Sequence, residues 1–291
     1  MGKRKQIKDG DVSMGGTDAN ANDSSDEDID MVNVDFEWFD PQEVDFHGIK
    51  NLIRQLFDVD ALDLDLSGLS DMILAQPLLG STVKTDGKES DPYAFLSVLN
   101  LREHAEKPAI KSLTAYLARK AAATPSLSPL AQLLSQTPPP PIGLILTERL
   151  INMPSEVVPP MYTMLQEEIA WAIEEKEPYN FSHYLIVSKT YEEVESKLDA
   201  EETRPQKKKK KGGQDRGERF FFHPEDEVLE RHALCKGGYE FSHSQDEGRS
   251  DSKRAFQELG IKTGGSMILI EAGRFEGAVR EMAEYMGVGA Q

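Results

Sequence analysis

Cysteine is almost missing from this sequence: Cys235 is the one thiol in 291 residues. No intrachain disulfide can form, and a reducing compartment is expected. Long apolar runs are missing as well. No stretch approaches the roughly 20 residues of a membrane span, and the basic start Met1–Lys5 is followed by no apolar segment. A cytosolic or nuclear protein without membrane insertion is expected. Positive charge is in short supply: 33 Lys and Arg stand against 51 Asp and Glu, a net charge of −18. Such a surface is repelled by nucleic-acid phosphates and anionic lipid, so no direct nucleic-acid partner is expected, and it attracts basic proteins. Acidity also serves plain solubility. Where the charge sits therefore matters more than its sum.

The phosphate-binding and nucleophile motifs G-x-x-x-x-G-K-[ST], G-x-G-x-x-G and G-x-S-x-G do not occur. Asp63, Asp65, Ser67 and Gly68 fall at calcium-loop offsets, but Leu74 stands where the bidentate Glu belongs. His223, His232, Cys235 and His243 lie close in sequence without the paired spacing of a zinc site. No metal or cofactor is expected, and Cys235 reads as a buried, inert thiol.

What is present falls into three parts. Residues 1–31 hold a basic cluster (Lys3, Arg4, Lys5), then a Gly/Asn/Ser/Asp-rich stretch ending in Asp26, Glu27, Asp28 and Asp30. With almost no apolar side chains it cannot offset the entropy of ordering, and it is expected to be a disordered acidic tail. A second such break spans about 196–217, where Lys207, Lys208, Lys209, Lys210 and Lys211 repel one another and favour a solvated loop. Residues 32–291, apart from that loop, read as one α/β domain. Alternating apolar residues at Val32–Phe39 predict a half-buried strand. Buried strands are predicted near Leu78–Val83, Tyr93–Leu101, Ile142–Leu146, Tyr184–Val187, Arg219–Phe222 and Met267–Ile270. Helices are predicted where Phe46, Ile49, Ile53 and Leu56 recur, at Leu69–Leu74 and across Pro108–Ala123. Two more follow Pro159–Pro160 and carry Phe275, Val279 and Met282. Strands interleaved with helices on both sides of the lysine loop predict a single mixed sheet flanked by helices. Two separate domains are the alternative.

Both basic clusters, Lys207–Lys211 and Lys3–Lys5, fit nuclear-import signals, which implies an import receptor as partner. Ser24 and Ser25 each have an acidic residue three positions on, Glu27 and Asp28, and are candidate phosphorylation sites. A run of carboxylates near the start of the domain is the candidate client-binding surface: Asp35, Glu37, Asp40, Glu43, Asp45, Asp58, Asp60, Asp63 and Asp65. Trp38, Phe39 and Phe46 stand among them as possible aromatic anchors, although core burial is the usual fate of such side chains.

The stretch Val32–Pro41, followed by Asp45–Phe57, resembles the BCCIP family, as do Glu167–Ala172, Tyr184–Ser188 and Phe221–Asp226. The likeness covers nearly the whole chain. It implies one domain similar in fold to the GCN5-related acetyltransferases, in a nuclear and cytoplasmic escort or chaperone. The family is linked to large-subunit ribosome biogenesis through a basic ribosomal protein, and in fungi to nuclear export, actin organisation and vesicular transport. Acetyltransferases of that fold cradle the cofactor pyrophosphate in a glycine-containing loop at a helix N-terminus. Here Arg149 is followed by no such glycines, and no glycine occurs from Leu144 through Lys211. The phosphate loop is therefore absent, and a non-enzymatic scaffold is expected. An acyl-transfer enzyme with an atypical cofactor loop is one alternative, and a trafficking adaptor without chaperone activity another.

Overall fold

In the computed structural model, residues 34–76, 79–193, 219–243 and 261–287 are described. The N-terminal tail with Lys3, Arg4, Lys5, Ser24 and Ser25, and the run Lys207–Lys211, lie outside the described residues. Eight strands build one sheet: β1 (Glu37–Phe39), β2 (Ser81–Lys84), β3 (Ala94–Asn100), β4 (Ile142–Arg149), β5 (His183–Glu193), β6 (Arg219–Phe221), β7 (Cys235–Tyr239) and β8 (Ile261–Glu271). The order is β1-β2-β3-β4-β5-β8-β7, with β6 paired to β5. Every neighbouring pair is antiparallel except β4 and β5, so the sheet is mixed.

Successive strand residues face opposite sides, and the core divides accordingly. Phe95, Leu99, Leu144, Leu185 and Leu269 face one layer, whereas Leu96, Val98, Ile145, Ile186 and Ile268 face the other. Four helices cover the first face: α1 (Phe46–Phe57), α2 (Leu66–Leu74), α3 (Pro108–Ala123) and α4 (Ser128–Leu134). The second is covered by α5 (Val158–Glu174), α6 (Glu225–Arg231) and α7 (Ala272–Tyr285). With both faces covered, the central strands lose any polar alternation; all seven residues of β3 are buried.

The helices form where the sequence favours them. Pro108 opens α3, and Pro159 and Pro160 open α5, where a missing N–H costs nothing. On α1 the buried residues are Ile49, Leu52, Ile53, Leu56 and Phe57, a stripe of helical period. Each such burial contributes on the order of 1.5–3 kcal/mol. Gly80, at φ +112°, has no room for a side chain: a Cβ there would lie 2.7 Å from the Leu96 carbonyl oxygen. Its N–H donates to the buried Glu168 carboxylate at 2.8 Å, which ties α5 to the start of β2. No described helix is long and apolar enough to cross a membrane.

Two features of the sheet bear on function. First, β4 and β5 run together only over Ile142–Ile145 and His183–Ile186. Beyond that β4 stays with β3, β5 stays with β8, and β6 takes the edge of β5 that β4 has left. Second, β1 ends the sheet and has no outer strand among the described residues.

Candidate functional site

The nine carboxylates between Asp35 and Asp65 do not form one surface. Asp35, Glu37, Asp40 and Glu43 are exposed on and around β1. Asp45 is not: its side chain is fully buried, 2.5 Å from the Lys84 ammonium, and it accepts the Gln42 N–H at 2.9 Å. Asp60 is not on the surface either. It has no exposed surface and accepts from Tyr116 (2.9 Å) and from the backbone N–H of Ser242 (2.6 Å) and His243 (3.1 Å). Lys120 lies 2.9 Å from it. Burial alone would raise the Asp60 pKa, but Lys120, the His243 N–H and Tyr116 outweigh that and hold it below the ordinary carboxylate value. Both aspartates are structural, because a buried carboxylate is retained only where it is paired.

The other three have structural duties while remaining at least partly accessible. Asp58 accepts from Thr263 at 3.0 Å, and Asp63 lies 2.8 Å from His243 and 3.8 Å from Arg119. Asp65 caps α2 by accepting the Gly68 N–H at 2.9 Å. Asp63 and Asp65 thus turn to different partners. The histidines diverge likewise: His223 pairs with Glu148, His232 with Glu281 and His243 with Asp63. Cys235 is buried, and burial pushes its thiol pKa up. Of the aromatics, Phe39 and Phe46 are half-buried, whereas Trp38 is 38% exposed and donates its indole N–H to the Val157 carbonyl at 3.3 Å.

A polar cluster that sequence patterns do not disclose fills the space where β4 and β5 part. In open α/β sheets, ligands favour the crevice at the carboxyl ends of parallel strands. Here that place holds Glu148 and Arg149 from β4, Ser188 and Thr190 from β5, and His223, Glu225 and Asp226 from the segment that opens α6, all less than 10% exposed. His223 Nε2 lies 2.6 Å from Glu148, Arg149 pairs with Glu225, and Ser188 donates to Asp226. Burial would raise Glu148, but the His223 bond and charge outweigh it and lower its pKa. Burial would lower His223, and the same bond to Glu148 reverses that. At Asp226 the balance goes the other way: burial, then the neighbouring Glu225, outweigh His223, Ser188 and Arg149 and push it up to about 7.

The turn Leu150–Val157 that leads from β4 to α5 contains no glycine. Pro159 and Pro160 take two positions at the start of α5 whose N–H groups would otherwise point at an anion. The crevice is therefore plugged by α6, and the adjoining helix end is depleted of donors.

A family model for BCCIP matches residues 31–229. The chain belongs to the BCCIP family. It is 87% identical to Protein bcp1 of Emericella nidulans over 98% of this chain and 99% of that one. Identity to Protein bcp1 of Schizosaccharomyces pombe is 49%, over 88% and 91% of the two chains. The crystal structure of BCP1 from Saccharomyces cerevisiae superposes with a TM-score of 0.58 at 27% identity, covering 89% of this chain and 93% of that one. In this BCCIP-family protein, the single mixed sheet flanked by helices that the sequence predicts is present, and the one parallel pair among the described residues lies at the plugged crevice. The names of these relatives do not suggest an enzyme.

Proposed function

We propose that this BCCIP-family protein is a non-enzymatic acidic escort that binds a basic protein client. By the family resemblance, the client is a ribosomal protein of the large subunit, and the escort moves between nucleus and cytoplasm in nuclear export and protein transport. One observation carries the reading. The place where the fold would hold a small ligand is filled by the protein's own ion pairs, while exposed carboxylates stand on and around β1 in a chain of net charge −18. A filled crevice disfavours acyl transfer. An acidic exterior attracts a basic partner and shields it from nucleic acid until delivery.

The test is association with purified basic large-subunit ribosomal proteins, expected to be saturable and weakened by salt. Import is tested separately. Replacing Lys207–Lys211 by five glutamines is expected to leave the melting temperature unchanged and to move the protein into the cytoplasm, as imaged by a fluorescent tag. Unchanged nuclear accumulation would transfer the role to Lys3, Arg4 and Lys5, or to a signal on the client.

A further inference from the structure

Both tryptophans of this chain, Trp38 and Trp171, are exposed, at 38% and 48%. Tryptophan is highly buried on average, and binding hot spots are enriched in it. The two are linked by one helix. Trp38 holds the Val157 carbonyl at the start of α5, and Trp171 lies near its end, about 20 Å further along at 1.5 Å per residue. The outward strip of α5 carries Thr163, Glu167 and Ala170, then Trp171 and, beyond it, Glu174, all exposed, at helical spacing.

Charge along this line is mostly negative, the exposed Lys176 just past the end of α5 being the exception. Asp35, Glu37 and Asp40 flank Trp38, Glu156 adjoins Val157, and Glu167, Glu174 and Glu175 surround Trp171 in sequence. Helix α5 contains no Lys or Arg, and its last turn has no basic residue. A helix C-terminus is the negative end of the dipole, where cations stabilise and carboxylates do the reverse. Glu174 and Glu175 sit there next to Lys176, the one cation at that end.

We infer that the α5 ridge, from Trp38 to Trp171, is the docking surface for an extended arginine- and lysine-rich protein segment. The inference rests on the escort reading and names the surface that performs it. Guanidinium groups stack on the two indole faces, and the carboxylates around them take the remaining cations. An extended chain advances roughly 3.3 Å per residue, so about six residues span the ridge.

The two indoles supply their own readout, because the chain has no other tryptophan. Octa-arginine titrated into the full chain is expected to change the emission of both, seen singly in Trp38→Phe and Trp171→Phe. Trp171→Ala, at a solvent-facing position, is expected to weaken peptide binding tenfold or more with an unchanged circular dichroism spectrum. The triple variant Glu167→Gln, Glu174→Gln, Glu175→Gln is expected to weaken binding and flatten its salt dependence. Binding with unaltered emission, and with unaltered affinity in Trp171→Ala, would overturn the ridge while leaving the escort reading in place. No association of the full chain with basic ribosomal proteins at low salt would overturn that reading, and the ridge with it.

Discussion

Replacing Asp60 by alanine is expected to destabilise the protein by about 3–5 kcal/mol, the cost of breaking a buried ion pair from one side. The carboxylate joins the 3-10 turn after α1 to α3 through Tyr116 and Lys120, and to the segment after β7 through the N–H groups of Ser242 and His243. Its removal leaves the Lys120 ammonium, with a side chain 8% exposed, close to two aromatic rings without its carboxylate. At about 2–4 °C per kcal/mol for a domain of this size, the melting temperature should fall by roughly 6–20 °C. Asp60→Asn keeps the shape and one acceptor, so it should lose less. Because the Asp60 pKa is lowered, its contribution is present above the unfolded value of 3.8 and is lost as pH falls through the folded one. Thermal melts of the two variants check both statements. A loss below about 1 kcal/mol in Asp60→Ala would show that the carboxylate behaves as a surface group.

The second large effect is expected in the plug. Arg149→Met leaves Glu225 in place at 3% exposure without its cation, again a loss of about 3–5 kcal/mol. The double variant Arg149→Met, Glu225→Leu removes both charges and should recover most of it. The plug also sets a direction for pH. Asp226 keeps its proton to about 7 when folded, while the unfolded chain releases it near 3.8. The folded state therefore loses stability as pH rises across that interval. His223 acts in the same direction: its contribution is present below 6.5 and is lost as pH rises through the raised folded pKa. Glu148 opposes them, being present above 4.5 and lost in acid. Melting temperatures should be higher at mildly acidic than at mildly alkaline pH, and Asp226→Asn should reduce that difference. A plug that tightens with rising pH would contradict this assignment of protons.

Much of this architecture was legible in the sequence, because apolar period and proline placement are local signals. Pro108–Ala123 is a helix over the expected span, and the apolar stretches at Ile142, Tyr184 and Met267 all lie in central strands. Strand β7 was not legible. Its sequence, Cys235–Tyr239, holds Gly237 and Gly238, which carry no strand signal. The glycines are needed there because Thr124, Ser126 and Leu127 press on one and Arg219 lies across the other. Helix α6 carries little sequence signal, since only Val228 and Leu229 mark an apolar face in its seven residues.

The candidate surface was harder to read. A run of aspartates looks uniformly solvated, since charged residues are rarely buried without partners. The partners of Asp45 and Asp60 are Lys84, Tyr116 and Lys120, far along the chain. The plug depends on the same kind of pairing: Glu148 and His223 are 75 positions apart. Trp171 carried a legible hint, an indole between glutamates on an amphipathic helix. Its exposure became evident only once the buried face of α5, with Met161, Tyr162, Leu165 and Ile169, was placed against the sheet.

The most direct test of the escort account is kinetic. Basic large-subunit ribosomal proteins are immobilised, and the full chain is compared with one lacking residues 1–31, at low and high salt. The tail has carboxylates but only scattered apolar side chains and no aromatic one, so it adds long-range attraction with little desolvated contact. Its deletion is expected to slow association and weaken the salt dependence, with the dissociation rate changed by no more than a few-fold. Residual saturable binding by the truncated chain would place the client on the folded domain. Loss of all binding at low salt would place it on the tail and contradict the account.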